Sequence, residues 1–226
     1  MTGQTIEPQE DEMSFEPIDL ENYPRRRHFE HFHAMRLSYS ATVNIDISAL
    51  RAGAKRQGIS EYLAQTWMLT TAANKVPEFR MSIDQTGRLG TWEELSPLFT
   101  VLNPETRTFS GLWTPYQQNF AEFVRQAAKV IESYADGSFE PQDDIPANVI
   151  NISSIPWVGF TAFNLNMPTD YMLPILTIGR YSQAEGTTLM PLAIQVHHAV
   201  CDGYHLGLFV EAVRTLAAET RTWLTP

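Results

Sequence analysis

PLAIQVHHAVCDGYH, residues 191–205, is the stretch on which the reading of the whole chain turns. Pro191 to Val196 is apolar enough for a buried strand, and the strand ends on two adjacent histidines, His197 and His198. A short apolar step then leads to Asp202, and Gly203 permits a sharp turn into a closing helix expected from about Tyr204 to Ala218. An imidazole at the carboxyl end of a sheet strand can serve as a general base at neutral pH. The plainer alternative is that one histidine satisfies a local hydrogen bond while Asp202 caps the helix.

Working outward, Val149–Ser153, Val158–Leu165, Leu173–Tyr181 and Thr188–Val196 read as four strands in close succession. In the first half, Leu37–Ile47 alternates as a half-buried strand with Val43, Ile45 and Ile47 on one face, and Ser48 can cap the helix that follows. Ser60 and Glu61 open a stronger helix, carrying Tyr62, Leu63, Trp67, Met68 and Ala72 until Pro77 stops it. A hairpin is expected over Phe79–Trp92 around Asp84–Gly87, then a strand at Leu98–Leu102, a loop reaching Trp113, and an amphipathic helix from Tyr116 to Tyr134. Strands with interspersed helices and a strand-rich second half predict an α/β or α+β sheet covered by helices.

The 226 residues carry 26 acidic and 16 basic side chains, a formal charge of −10, which argues against nucleic acid or an anionic membrane as partner. With no Gly/Ser/Pro-rich linker, one domain over 15–226 is expected, preceded by an acidic tail, 1–14, bearing Glu7, Glu10, Asp11 and Glu12. Cys201 is the sole cysteine, which excludes an internal disulfide and fits a reducing, cytoplasmic setting. There is no secretory signal and no apolar run long enough for a membrane span. The six histidines fall into two clusters, His28, His31 and His33, and His197, His198 and His205. Their spacing is not that of zinc ligand pairs, so no metal is expected.

HHAVCDG at 197–203 resembles the signature of the chloramphenicol acetyltransferases. The resemblance runs from about Phe15 to Leu224 through RRRHFEHF near the amino end, PEFRM at 77–81, TFSGLW at 108–113, and SSIPWVGFTAFNLN at 153–166. It implies a two-layer sheet-and-helix sandwich of the CoA-dependent acyltransferase kind. The implied activity is direct acetyl transfer, in a ternary complex, from acetyl-CoA to the primary hydroxyl of chloramphenicol. His198 would be the general base, Ser153 the oxyanion donor, and Asp202 a structural partner of Arg25. The resemblance further implies acetyl-CoA contacts at Tyr62, Trp157, Arg180 and Tyr181, an acceptor pocket of Phe109, Phe139, Phe163, Leu165, Ile175 and Thr177, and a homotrimer with sites between subunits. Ser60 stands where some members have a phosphate-binding lysine, and Arg36 and His31 where members have mostly apolar groups. Three alternatives stay open: an acetyltransferase for another hydroxylated molecule, a dihydrolipoyl-type acyltransferase, and a scaffold without catalysis.

Overall fold

A computed structural model describes residues 14–134, 142, 145–166 and 170–225. The acidic tail through residue 13 and Phe139 lie outside the described residues. Ser14 belongs to the folded body, its hydroxyl donating to the Glu93 carboxylate at 2.6 Å and its carbonyl accepting the Glu93 N–H.

The apolar 191–197 run lies within the longest strand, β10 (Thr187–His197), at the heart of a seven-stranded mixed sheet. The main path is β2 (Ser38–Asp46), β10, β8 (Ile175–Gly179), β7 (Val149–Ile155), β5 (Ser96–Leu102), β6 (Phe109–Trp113), with β9 (Ser182–Ala184) also on β10. The β5–β7 and β7–β8 pairs are parallel and the rest antiparallel. A separate antiparallel sheet joins β1 (Phe15–Pro17), β4 (Leu89–Trp92) and β3 (Met81–Ile83). β10 is apolar on both faces because both are covered. Leu192, Ile194 and Val196, with Leu176 and Ile178 of β8, enter the main core with the helices. Ala193, Ile175 and Thr177 are buried on the opposite face.

The helical layer is α2 (Ser48–Gln57), α3 (Glu61–Asn74), α4 (Phe120–Ser133) and α5 (Gly203–Ala218), with the short α1 (Arg26–Ala34) near the amino end. Ser60 caps α3 by accepting the Leu63 N–H. α3 is buried nearly all round, and Thr66 and Thr70 tolerate this because their hydroxyls donate to the carbonyls of Tyr62 and Thr66, four residues back. α5 is fixed from two sides: Phe79, in a 3-10 turn over Pro77–Phe79, stacks on Phe209 at 4.5 Å, and the Trp223 indole donates to the Leu216 carbonyl.

Several expectations are corrected. The loop expected before Trp113 contains β6, whose Phe109–Trp113 edge pairs with β5; with few apolar residues facing a core, its alternation was hard to see. Helix α4 begins at Phe120, where Asn119 accepts the Glu122 N–H, four residues after the expected start. Val158–Leu165 is irregular chain, because Phe160 packs on Gly179 of β8 and the Leu165 N–H donates to the Gln195 side chain instead of entering a strand pairing. Ser48 is the first residue of α2 and its hydroxyl accepts the Thr188 N–H, while the Asp46 carboxylate accepts the Ser48 N–H. Because Phe209 is fully buried and holds α5 on the core, Phe209→Ala is expected to cost about 3–5 kcal/mol, read as a lower urea midpoint with the m-value unchanged.

Candidate active site

Asp202 gathers three elements. It is the N-cap of α5: its Oδ1 accepts the Tyr204 N–H at 3.0 Å, and its Oδ2 receives the Arg25 guanidinium at 2.7 Å. The local capping role and the long-range ion pair are therefore both present. Burial works to raise the pKa of this carboxyl, but the hydrogen bonds from Arg25 and the Tyr204 N–H, with the nearby His205, outweigh it and hold it below the ordinary value. Arg25 comes just ahead of α1, so the pair ties the RRRHFEHF segment to the end of β10.

That segment supplies a residue the sequence reading passed over. Phe32 of α1 lies flat against His198, centroids 3.9 Å apart and planes within 4°, while Tyr39 of β2 meets the same imidazole edge-on at 5.1 Å. The His198 N–H donates to the Leu37 carbonyl at 2.7 Å. Backbone and ring are thereby both held. Nδ1 of His198 is buried without a hydrogen-bond partner among the described residues, which leaves Nε2 as the nitrogen able to meet a ligand. His197 differs: it is 1% exposed, its Nδ1 accepts the Ala199 N–H at 3.2 Å, and burial, reinforced by His33, pulls its pKa down. Cys201 is a buried free thiol whose pKa burial pushes up to about 12, so it is not a poised nucleophile.

Four of the expected acceptor residues come together. Phe163, Leu165, Ile175 and Thr177 line one depression with Asn164, Ala193 and Gln195. Gln195 is a lone amide inside the apolar β10 run, a signal visible in the sequence; its Oε1 accepts the Leu165 N–H at 2.8 Å and fastens the 156–166 chain to the sheet. Phe160 seats on Gly179, where an added Cβ would lie 2.6 Å from the ring, and packs against Phe163 at 5.2 Å. Phe109, on β6 and 56% exposed, is not in this depression. Arg36, at a left-handed turn residue, pairs with Asp170 at 3.3 Å, and His31 is exposed on α1.

Ser153 lies in mid-β7, in one row with Thr177 of β8 and Ala193 of β10. Past the end of β7, Trp157 is exposed and the Arg180 N–H donates to the Val158 carbonyl, so Trp157, Arg180 and Tyr181 occupy one end of the sheet. The Tyr181 hydroxyl accepts from Gln65 at 2.7 Å, the Arg51 guanidinium sits 5.4 Å above its ring, and burial pushes its pKa up to about 12. Tyr62 is tied into the layer interface: its hydroxyl accepts the Thr100 N–H and donates to the Ile152 carbonyl.

Because the native Asp202 carboxyl is held below its ordinary value of 3.8, the pair's stabilisation is full above that pH and is lost as pH falls through the lower native value. Wild type should therefore melt above Asp202→Asn near neutrality, and the gap should close on acidification below 3.8, measured by circular dichroism.

The family model for chloramphenicol acetyltransferase matches residues 13–214. A chloramphenicol acetyltransferase of Bacillus pumilus is 48% identical over 215 residues, 93% of this chain and 96% of the relative. One from Clostridium perfringens is 44% identical over 216 residues, 94% of this chain and 99% of the relative. Among solved structures, a chloramphenicol acetyltransferase superposes with a TM-score of 0.81 at 27% identity, covering 90% of this chain and all of the other. The Azotobacter vinelandii dihydrolipoamide acetyltransferase shares the fold, with a TM-score of 0.64 at 19% identity and 88% of each chain covered.

Proposed function

The chain belongs to the chloramphenicol acetyltransferase family, and from that premise we propose that it transfers acetyl from acetyl-CoA to the primary hydroxyl of chloramphenicol, inactivating the antibiotic. Nε2 of His198 removes the hydroxyl proton as the oxygen attacks the thioester carbonyl. The Ser153 hydroxyl donates to the oxyanion of the tetrahedral intermediate. Collapse breaks the C–S bond, and the leaving thiolate takes a proton. Ser153 is not acylated, since the transfer is direct. Asp202 and Arg25 hold the turn that carries the base. The slot of Phe163, Leu165, Ile175 and Thr177 takes the nitrophenyl end of the acceptor. Trp157, Arg180 and Tyr181, with Tyr62 behind them, serve the coenzyme.

One observation carries the choice of architecture. Ala193 and His197 are four residues apart, about 13 Å along β10, and Ser153 is two strands away from Ala193, about 10 Å across the sheet. Ser153 and the histidine end of β10 are thus at least about 16 Å apart in one chain. An attacking oxygen and an oxyanion donor must each come within roughly 3 Å of one carbonyl group. The base of one copy therefore works with the Ser153 of another; the resemblance to the chloramphenicol acetyltransferases, not this distance, makes the assembly a homotrimer with a site at each subunit interface. In this reading a second copy supplies the other wall of the slot lined by Phe163, Leu165, Ile175 and Thr177. Phe109, remote from the slot in its own chain, is assigned to that second wall. The body from residue 15 onward acts as one domain, and a lone buried cysteine accords with work in the cytoplasm.

Chloramphenicol should elicit thiol release from acetyl-CoA; release with other hydroxylated acceptors alone would keep the chemistry and remove the named substrate. His198→Ala is expected to lower kcat at least about 100-fold and His197→Ala less, both folded by circular dichroism. Ser153→Ala should lower kcat about 10- to 1,000-fold with little change in KM. The interface is tested by co-refolding the His198→Ala and Ser153→Ala chains. Mixed assemblies, of a mass near three chains by light scattering, should show activity above that of either variant alone, whereas a site built within one chain would show no gain.

A further inference from the structure

PEFRM, residues 77–81, has been given no part in the chemistry, yet it packs on the segment that bears the base. Its 3-10 turn aims two consecutive side chains at two successive turns of α5. Phe79 stacks on Phe209, and Glu78 brings Oε1 to 3.4 Å from Nε2 of His205. His205 is buried, and its other nitrogen, Nδ1, accepts the Asp202 N–H at 3.2 Å, closing a capping box in which histidine takes the position usually held by glutamate or glutamine. The Asp202 Oδ1 lies 3.3 Å from the same Nδ1 but is engaged by the Tyr204 N–H.

A neutral imidazole has one donor and one acceptor nitrogen, and a carboxylate beside one of them selects which is protonated. We propose that Glu78 fixes His205 as the Nε2–H tautomer, so that its Nδ1 lone pair holds the Asp202 N–H, which makes Glu78 and His205 positioning residues for the turn that carries His198. Asp202 is then held at three atoms: its N–H by His205, Oδ1 by the Tyr204 N–H, and Oδ2 by Arg25. Arg25 sets the carboxylate; His205 sets the peptide plane between Cys201 and Asp202, through which the turn connects to His198. As a positioning role this rests on the acetyltransferase reading, whereas the tautomer is a property of the protein whatever it acetylates.

Two replacements separate an acceptor from mere core filling. Leucine fills space without accepting a hydrogen bond; glutamine accepts through Oε1 and can donate to Glu78, at the cost of a buried amide. We expect His205→Leu to lower kcat at least about tenfold, with both KM values within about threefold, since a small displacement of the base acts on turnover before binding. His205→Gln should stay within about threefold of wild type in kcat. Core filling predicts the reverse order, with leucine the better replacement, and that result overturns the proposal. If the wild-type protein shows no acceptor-dependent thiol release, the functional reading falls, and the tautomer is still tested by nitrogen-15 NMR of histidine-labelled protein at neutral pH. The signals lost in His205→Gln should be those of an unprotonated Nδ1 and a protonated Nε2. A protonated Nδ1 in the wild-type protein sinks the proposal on its own.

Discussion

The ion pair between Arg25 and Asp202 is the constraint on which the end of the molecule that carries His198 depends, because it closes a chain separation of 177 residues with one bidentate-capable contact. Among the described residues, it is the charged contact that ties the entry of α1 to the turn between β10 and α5. With it, Phe32 arrives on α1 to lie against His198, and Leu37 follows to accept the His198 N–H. The pair is only partly buried, its side chains 24% and 30% exposed, so its net contribution to stability is modest. Its value is geometric: it decides where an aromatic ring meets an imidazole.

The sheet sorts the remaining functions by face and by row. Alternation sends Leu192, Ile194 and Val196 to the helices, while Ala193, Thr177 and Ser153 share a row on the other face, under the chain that follows β7. One layer of helices therefore stabilises the domain, and the opposite face is the one to which the proposed function assigns the acceptor. Gln195 belongs to the second group; an amide in that run costs core stability, and it is offset by the hydrogen bond that fastens Leu165 over the slot.

Much of this is legible in the amino-acid sequence where the pattern is strong and local. β10 announces itself because both faces are buried, α3 because Ser60 and Glu61 mark its start, and the hairpin because Asp84 and Gly87 mark its turn. β6 is not legible: as an edge strand its residues alternate weakly, and only the pairing of Phe109–Trp113 with β5 identifies it. Val158–Leu165 misleads for the opposite reason. Its aromatic residues look like a buried strand, but they pack as a lid, Phe160 on the bare Gly179 and Leu165 on Gln195, and irregular backbone is what lets them do so. The site follows the same division. Residues adjacent in sequence, such as His198 and Asp202, could be picked out together, whereas Phe32, Glu78 and Gln195 gain meaning only from contacts across the fold.

Under the proposed function, a base beyond the end of β10 and an oxyanion donor in mid-β7 answer to different physical requirements, which is why one chain does not hold both at one point. The base needs a rigid ring with one nitrogen free, which a strand end provides once Phe32, Tyr39 and the Leu37 carbonyl close around it. The proposed donor needs a backbone that does not move as charge develops, and β7 is paired with β8 at Ser153 and with β5 as far as the preceding Ile152. Within one sheet these two places are separated by the length of the strands. In the proposed reaction, bringing them to a single thioester calls for a second sheet, which would make assembly part of the catalytic apparatus rather than an addition to it.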